Sequence, residues 1–176
     1  MFEYYQALGL EPKLNLDPED LRKRFYQRSR ESHPDLFGSG AEDRMAQLND
    51  AFRTLRDPVA RAQYFLQQNG IELSKEAPAE LLEEVFELNM ALEEIRGGDD
   101  SALPQLESAR ERFAAMQSEV DSELTAIGAR YDASPDPAAL DEIRGALNRR
   151  RYISNLLREV DQSLAPRKDI HVHLSN

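Results

Sequence analysis

Apolar residues recur every three or four positions along most of the chain, which is the spacing of amphipathic helices, whereas the alternating pattern of strands is scarce. In the first 70 residues, capping and turn signals separate four short helical segments. Asp17-Pro18 and Asp57-Pro58 each place an N-cap residue before a proline at the first helical position. Between the second and third segments, Pro34, Gly38 and Gly40 predict that residues 33–40 form a loop.

Three longer helices are predicted in the remainder of the chain, at residues 78–96, near 102–132, and from the Ser134–Pro137 turn to about 166. Their near-heptad apolar stripes and short connections predict an antiparallel three-helix bundle. The expected fold is therefore all-α, with two domains, at residues 1–72 and 78–166. Residues 73–77 are expected to form a linker and residues 167–176 a flexible tail.

Composition narrows the function. The 176 residues carry a net charge of −11, which argues against nucleic-acid binding. Residues 71–176 hold 12 lysines and arginines against 22 acidic residues, a net charge of −10 for this segment alone. There are no cysteines, so the chain cannot bind a metal or an iron–sulfur cluster through thiolates. No apolar run is long enough to span a membrane and no signal peptide is recognisable, so a cytoplasmic location is expected.

The tripeptide His33-Pro34-Asp35 lies between two helices of the N-terminal unit. Pro34 fixes its own φ and disfavours a helical conformation at His33, so the imidazole and the carboxylate of Asp35 are presented in a restricted geometry. With the flanking sequences at residues 4–10 and 48–64, this segment resembles a J domain, the module that stimulates ATP hydrolysis by DnaK-type chaperones. The resemblance implies a J domain at residues 1–72 whose His-Pro-Asp segment binds the chaperone.

The helix before this tripeptide carries a run of basic residues. Arg22, Lys23 and Arg30 fall on one outward side of it. In J domains this basic face contacts an acidic chaperone surface, so these residues are expected to steer the encounter. Two positions depart from the J-domain pattern, since Arg28 and Ser32 stand where apolar or aromatic residues are usual. We therefore expect looser packing and modest stability in this helical hairpin.

The predicted helix at 78–96 has more apolar surface than a bundle needs. Leu81, Val85, Leu88, Leu92 and Ile95 form one stripe that suffices to bury it. A second stripe contains Leu82, Phe86 and Met90 and is flanked by Glu83, Glu87 and Glu94. Surplus apolar area with an acidic rim indicates a surface for a partner with a basic patch, although packing against the J domain or a second subunit is equally compatible with the pattern.

A J domain followed by an acidic three-helix bundle resembles the HscB family, whose bundle binds the iron–sulfur scaffold protein IscU. The resemblance implies that this chain delivers an IscU-like client to a DnaK/HscA-type chaperone and stimulates its ATPase. The resemblance implies that Leu82, Phe86, Glu87, Glu94 and Tyr152 bind the client. The helical pattern adds Met90 from the second stripe and Leu156, which lies one turn beyond Tyr152 and off the main core stripe. Glu83 stands where the family has Met, and Asn89 and Met90 stand where it has charged residues, so the resemblance supports the face more than the individual contacts.

Other functions are compatible with parts of the pattern. The chain could be a J-domain co-chaperone for a different client, or a self-associating assembly protein with a degenerate J domain. His171 and His173 raise a third alternative, a metal site in the tail. No nucleophile pattern or phosphate-binding loop accompanies His33 and Asp35. If the protein is a co-chaperone, no enzyme activity, cofactor or metal is expected.

Overall fold

The computed structural model describes residues 1–173, and the side chains of residues 1–165. In this part of the chain there are eight α-helices and two short 3-10 turns, with no β-strand. The all-α prediction is thereby confirmed. The helices are α1 Glu3–Ala7, α2 Pro18–Glu31, α3 Pro34–Phe37, α4 Ala41–Arg56, α5 Pro58–Gln68, α6 Leu82–Arg96, α7 Leu103–Ala133 and α8 Pro137–His173; the 3-10 turns are Ala79–Leu81 and Asp100–Ala102.

The chain forms two compact units. The first contains residues 1–73 together with residues 124–144, and the second contains residues 74–123 and the part of the chain from residue 145 onward. The two long helices α7 and α8 therefore each contribute to both units. The sequence placed a linker at residues 73–77 but gave no sign that residues 124–144 group with the N-terminal unit.

In the first unit, α4 packs against α1, α2 and α5. The predicted helix starts are confirmed, because the carboxylate of Asp17 accepts the amide of Glu19 at 2.9 Å and that of Asp57 accepts the amide of Val59 at 2.9 Å. The core consists of apolar side chains from the ends and inner faces of α1, α2, α4 and α5. Fully or nearly fully buried side chains are Tyr5, Leu8, Leu21, Leu48, Leu55, Phe65 and Leu66.

A buried arginine links the loop after α1 to the last turn of α4. Arg61 Nε donates to the carbonyl of Leu14 and its terminal nitrogen donates to the carbonyl of Leu55, both at 2.7 Å. Burial lowers the pKa of Arg61 below its ordinary value. Close by, burial raises the pKa of Tyr5, whose hydroxyl donates to the carbonyl of Lys13 at 2.7 Å. These bonds satisfy carbonyls that no helix provides for.

Residues 124–144 are tied to the loop after α1. The carboxylate of Asp132 accepts the backbone amides of Leu14 and Asn15, each at 2.9 Å. The side-chain amide of Asn15 donates to the carbonyl of Thr125 at 2.9 Å. The ring of Tyr131 packs edge-on against Phe65, with 5.5 Å between the ring centres. The first unit is thus completed by a segment more than 100 residues away in sequence.

The second unit is a helical bundle whose antiparallel pairing shows in its polar contacts. Along α7 the partners Arg110, Gln117 and Asp121 meet residues of decreasing number on α8. Arg110 pairs with Asp161 at 2.9 Å, Gln117 donates to Ser154 at 2.7 Å, and Arg150 pairs with Asp121 at 2.5 Å. The inside of this bundle is an apolar core. Its buried side chains include Leu88, Leu92, Leu106, Phe113, Val120, Ile153, Leu156 and Val160.

Helix α8 extends through Pro166 to His173, so most of the predicted tail, residues 167–176, lies within a helix, and residues 174–176 lie outside the described residues. The side chains of His171 and His173 are likewise not described, and the metal site suggested for them is untested. Within the described residues no group of three or more His, Asp or Glu side chains is arranged to hold a metal ion. None of the described helices is long and apolar enough to cross a membrane.

Candidate functional site

The first candidate site is the His-Pro-Asp turn, residues 33–38. The prediction of a loop at residues 33–40 is wrong in part, because Pro34–Phe37 form one turn of α-helix. His33 is its N-cap, and Pro34 occupies the first helical position, where a fixed φ favours the helix and no amide is needed. Gly38, with a φ of 73°, ends this turn because a left-handed conformation costs glycine little.

The two functional side chains of this turn are solvent-facing. The side chain of His33 is 60% exposed and that of Asp35 is 88% exposed, with 3.5 Å between Nδ1 and the nearer carboxylate oxygen. The imidazole Nδ1 also accepts the amide of Asp35 at 3.3 Å. The turn therefore holds an imidazole and a carboxylate side by side, open to a partner. No nucleophile accompanies them in the turn, and the arrangement suits docking.

The basic residues of α2 divide into two sets. Arg24 and Arg28 form ion pairs with Asp20 and Glu31, at 2.9 and 3.4 Å. By contrast, Arg22, Lys23 and Arg30, the predicted chaperone-binding residues of α2, are exposed. Among the described residues, no acidic side chain lies within ion-pair distance of any of the three. We call them the free cations of α2. Their charge is available to an acidic partner surface.

Three exposed apolar side chains, one on α2 and two in the turn, do not follow from the sequence pattern. Tyr26 on α2 is exposed, and Leu36 and Phe37 in α3 are exposed directly after Asp35, with Leu36 at 76%. The only sequence signal was the apolar pair within a segment otherwise rich in glycine and serine. Leu36 and Phe37 therefore give the turn an apolar as well as a charged surface, and Tyr26 adds an exposed ring to α2.

Ser32, one of the two departures from the J-domain pattern, is fully buried. Its hydroxyl donates to the carbonyl of Arg28 at 2.7 Å and accepts from Arg44 Nε at 2.7 Å. Arg28 itself extends over Gly9, where its guanidinium nitrogen would lie 2.7 Å from an added β-carbon. Hydrogen bonds therefore occupy the place of the expected apolar packing, and the modest stability expected here stays a prediction.

The second candidate site is the outer face of α6. Leu82, Phe86 and Met90 are 58%, 65% and 49% exposed. Because they are spaced four residues apart, they form one continuous stripe along the helix. The opposite side of α6 is buried as predicted, with Leu88, Leu92 and Ile95 in the core and Val85 half-buried. The stripe is therefore surplus to the packing of the second unit. We call Leu82, Phe86 and Met90 the α6 stripe.

Acidic side chains border the α6 stripe. Glu83, Glu87 and Glu94 are all exposed. Arg112 on α7 lies 3.6 Å from Glu87 and 3.0 Å from Glu84, and it only partly offsets this charge. A groove of about 570 Å³ opens between α6 and α7 beside Met90. Its lining includes Glu87, Met90 and Glu94 from α6, and Pro104, Ala109 and Arg112 from α7.

The two predicted client-binding residues on α8 have different surroundings. Tyr152 is half-buried, and its hydroxyl donates to the carbonyl of Lys75 at 3.2 Å. Leu156 is only 7% exposed, so the prediction that it lies off the core is wrong; it is Leu157 that is less deeply buried. The two positions are neighbours on the helix, and the pattern alone did not show which of them faces inward. Leu156 supports the bundle from within and offers little surface to a partner.

Comparison with known proteins places both candidate sites in a family. Residues 3–64 match the family model of the DnaJ domain, and residues 77–161 match the model described as the HSCB C-terminal oligomerisation domain. A co-chaperone protein HscB homolog of Vibrio vulnificus is 33% identical over 171 residues, which cover 90% of this chain and 94% of that protein. One from Shewanella baltica is 32% identical over 154 residues, covering 80% and 87%.

Two solved structures of HscB proteins are similar to this chain. The chaperone HscB from Vibrio cholerae has 30% sequence identity and a TM-score of 0.59, over 90% of this chain and 95% of that one. The human co-chaperone protein HscB, at 22% identity and a TM-score of 0.67 over 93% and 82%, shares the fold.

The helical N-terminal unit and its His-Pro-Asp turn define a J-domain protein. The chain belongs to the HscB family of co-chaperones. Membership makes the protein a regulator that acts on an Hsp70-type chaperone, and not a catalyst in its own right.

Proposed function

We propose that this protein binds an IscU-like iron–sulfur scaffold protein through the α6 stripe and presents it to a DnaK/HscA-type chaperone, whose ATPase the J domain stimulates. The observation that carries the client half of this proposal is the exposure of Leu82, Phe86 and Met90 on a helix that already buries its opposite side. An apolar stripe of this kind, bordered by charge, is typical of a protein-binding surface.

The charge of the border indicates the chemistry of the client. Glu83, Glu87 and Glu94 are exposed around the stripe, and the segment from residue 71 onward has a net charge of −10. A client with a basic patch around an apolar centre is therefore favoured over an acidic one. Tyr152 is proposed to extend the surface from α8. Leu156 would contribute only indirectly, through the packing beneath it.

The chaperone half of the proposal is supported by the His-Pro-Asp turn. His33 and Asp35 are exposed and held next to each other, and Pro34 starts the helical turn between them. Arg22, Lys23 and Arg30 would attract an acidic surface of the chaperone's nucleotide-binding part. Because one chain carries both surfaces, binding the client raises its effective concentration at the chaperone. No covalent chemistry by this protein is required, and the proposed location is the cytoplasm.

The test is the steady-state ATPase rate of a DnaK/HscA-type chaperone with this protein, with and without purified IscU. The native chain is expected to stimulate hydrolysis, and IscU is expected to increase the stimulation more than additively. The double variant Leu82→Ala/Phe86→Ala should lose the IscU-dependent part alone. The reciprocal variant His33→Gln should lose stimulation but still bind IscU. Glu119→Ala, an exposed position on α7, serves as the matched surface control.

The outcomes separate the alternatives. Stimulation that IscU does not change would mean a J-domain co-chaperone with a different client. A second candidate, self-association through the α6 stripe, is favoured by the description of the matching C-terminal family model as an oligomerisation domain. Sedimentation equilibrium distinguishes it, since a dimer that the Leu82→Ala/Phe86→Ala double variant dissociates would assign the stripe to a second copy of this chain.

A further inference from the structure

One side chain from α4 contacts both ends of the His-Pro-Asp turn. Arg44 Nε donates a hydrogen bond to the hydroxyl of Ser32 at 2.7 Å, immediately before the turn. The guanidinium carbon of the same residue lies 4.7 Å from the centre of the Phe37 ring, at the last position of α3. Such a stacked cation and ring attract each other. Arg44 therefore joins the end of α2 to the end of α3.

The buried end of this connection depends on Arg44. Ser32 is fully buried, and its hydroxyl hydrogen is directed to the carbonyl of Arg28 at 2.7 Å. The oxygen of that hydroxyl accepts from Arg44. Without the guanidinium, this buried oxygen would lose its donor, which is costly in the absence of water. The anchor at this position is therefore polar, and it needs a specific partner.

The other hydrogen bonds of the turn are local. Within it, the amide of Asp35 donates to His33 Nδ1, the amides of Leu36 and Phe37 donate to the His33 carbonyl at 2.9 Å, and that of Gly38 donates to the Pro34 carbonyl at 3.0 Å. At its two ends, the amide of His33 donates to the Arg30 carbonyl at 3.2 Å and that of Ala41 to the Gly38 carbonyl at 3.3 Å. Among the described residues, no side chain from outside the turn hydrogen-bonds to residues 33–38. No residue of α3 is buried. Apolar packing therefore does little to fix the orientation of the turn.

We propose that Arg44 is a positioning residue that holds His33 and Asp35 in the orientation in which the chaperone binds them. The inference rests on the proposed function for its consequence, because it is the J domain's stimulation of ATP hydrolysis that needs this orientation. It assigns to α4 a role that neither the basic run of α2 nor the His-Pro-Asp tripeptide supplies. Arg44 acts through the turn, and it need not touch the chaperone.

The test uses the full-length protein and titrates it against a DnaK/HscA-type chaperone. Arg44→Ala is expected to raise the concentration that gives half-maximal ATPase stimulation about tenfold, the effect of losing a charge-assisted hydrogen bond that orders the binding surface. Arg53→Ala is the matched control, because Arg53 lies on the same helix, is exposed and pairs with Asp50. It should behave as the native chain does. Equal stimulation by Arg44→Ala and native protein would overturn the inference.

Hydrogen exchange separates positioning from general stability. In Arg44→Ala, the exchange of the Phe37 and Gly38 amides is expected to rise much more than that of the α5 amides. The melting temperature should fall only modestly, by the cost of leaving the buried Ser32 hydroxyl oxygen without its donor. A uniform increase in exchange across α2, α4 and α5 would show that Arg44 only stabilises the unit, and would overturn the inference. Arg44→Lys should fall between the native and alanine variants, since one ammonium cannot both reach Ser32 and stack flat on Phe37.

The inference and the proposed function fail in different ways. If the native chain does not stimulate ATP hydrolysis by a DnaK/HscA-type chaperone, the proposed function is wrong. The exchange measurement on Phe37 and Gly38 then still decides whether Arg44 fixes the turn, and unchanged exchange in Arg44→Ala overturns that as well. If the native chain stimulates hydrolysis but Arg44→Ala does so equally well, the function stands and the inference alone is wrong.

Discussion

Asn15 lies directly against Gly128 of α7, so that a β-carbon at Gly128 would be only 2.7 Å from Asn15 Oδ1 and 3.2 Å from the β-carbon of Leu14. The side chain of Asn15 cannot easily move aside, because its amide donates to Thr125 and its backbone is bonded to Asp132. The glycine is therefore required by the close approach of the loop, although glycine within a helix is normally unfavourable.

Gly128→Ala should consequently destabilise the protein. Alanine in place of a helical glycine ordinarily adds about 1 kcal/mol of stability, but the overpacking against Leu14 and Asn15 costs about 1–3 kcal/mol, so the net change should be a loss. Gly145→Ala is the matched control, since its β-carbon would meet only Arg149, at 3.8 Å. Thermal unfolding should show opposite signs for the two variants, and a gain for both would contradict the close approach.

Asp132→Asn tests the same contact between α7 and the loop after α1, through the hydrogen bonds of the aspartate. The carboxylate accepts two backbone amides, and an asparagine has a single oxygen to offer them. One amide of the loop loses its strong acceptor, so the free energy of unfolding in urea should fall by about 1–3 kcal/mol. Asp141→Asn, an exposed aspartate on α8, should leave it unchanged. Equal stability of the Asp132 variant and the native chain would mean that these hydrogen bonds contribute nothing.

Sequence patterns identified the features that depend on neighbouring residues. The helix starts at Asp17 and Asp57 follow from a capping aspartate and a proline, which act within one turn. The α6 stripe was visible because a helix has only one side to bury in a bundle, and a second apolar side stands out. The His-Pro-Asp turn was found because three residue types coincide with a helical hairpin.

The features that were missed depend on contacts between distant residues. Asp132 bonds to a loop about 118 residues earlier, and no local signal marks its carboxylate as a partner for Leu14 and Asn15. The hydrogen bond between Arg44 and Ser32 depends on the direction in which a long side chain extends, and helical periodicity does not specify that direction. Leu156 and Leu157 are adjacent on the edge of one stripe, so small differences in packing decided which of them is buried.

Alkaline pH provides a test of the buried tyrosine. Burial raises the pKa of Tyr5 above its ordinary value of 10.0, and burial also raises that of Tyr64. The folded state holds these protons more tightly than the unfolded state, so the stabilisation is complete below about pH 10 and is lost as the pH rises further. The free energy of unfolding should therefore be level from about pH 8 to 9 and fall above about pH 10.

Tyr5→Phe should make this fall less steep. At about pH 8 the variant should itself be less stable by about 1 kcal/mol, because the bond from the tyrosine hydroxyl to Lys13 is lost. Tyr26→Phe, at an exposed position, is the control and should keep the native pH profile. Urea unfolding at a series of pH values provides the measurement. An identical slope in the Tyr5 variant would show that other groups cause the alkaline loss.

The free cations of α2 should act mainly on the rate of encounter with the chaperone. A triple variant that replaces Arg22, Lys23 and Arg30 by alanine removes three charges that have no acidic partner within the described residues, whereas the paired Arg24 and Arg28 are kept. Oriented charges of this kind speed association far more than they change the chemistry that follows. The concentration for half-maximal ATPase stimulation should rise about tenfold at low salt, with the maximal rate retained.

Salt and a charge-matched control decide whether the position of these cations matters. The difference between native and triple variant should shrink as ionic strength rises from about 0.05 to about 0.3 M, because screening shortens the reach of exposed charges. Replacing three other exposed arginines by alanine, at Arg53, Arg96 and Arg158, changes the net charge equally but leaves α2 intact. If both triple variants lose stimulation to the same extent, net charge is responsible and α2 is not a specific docking surface. If only the α2 variant loses it, the unpaired cations beside the His-Pro-Asp turn guide the chaperone to that turn.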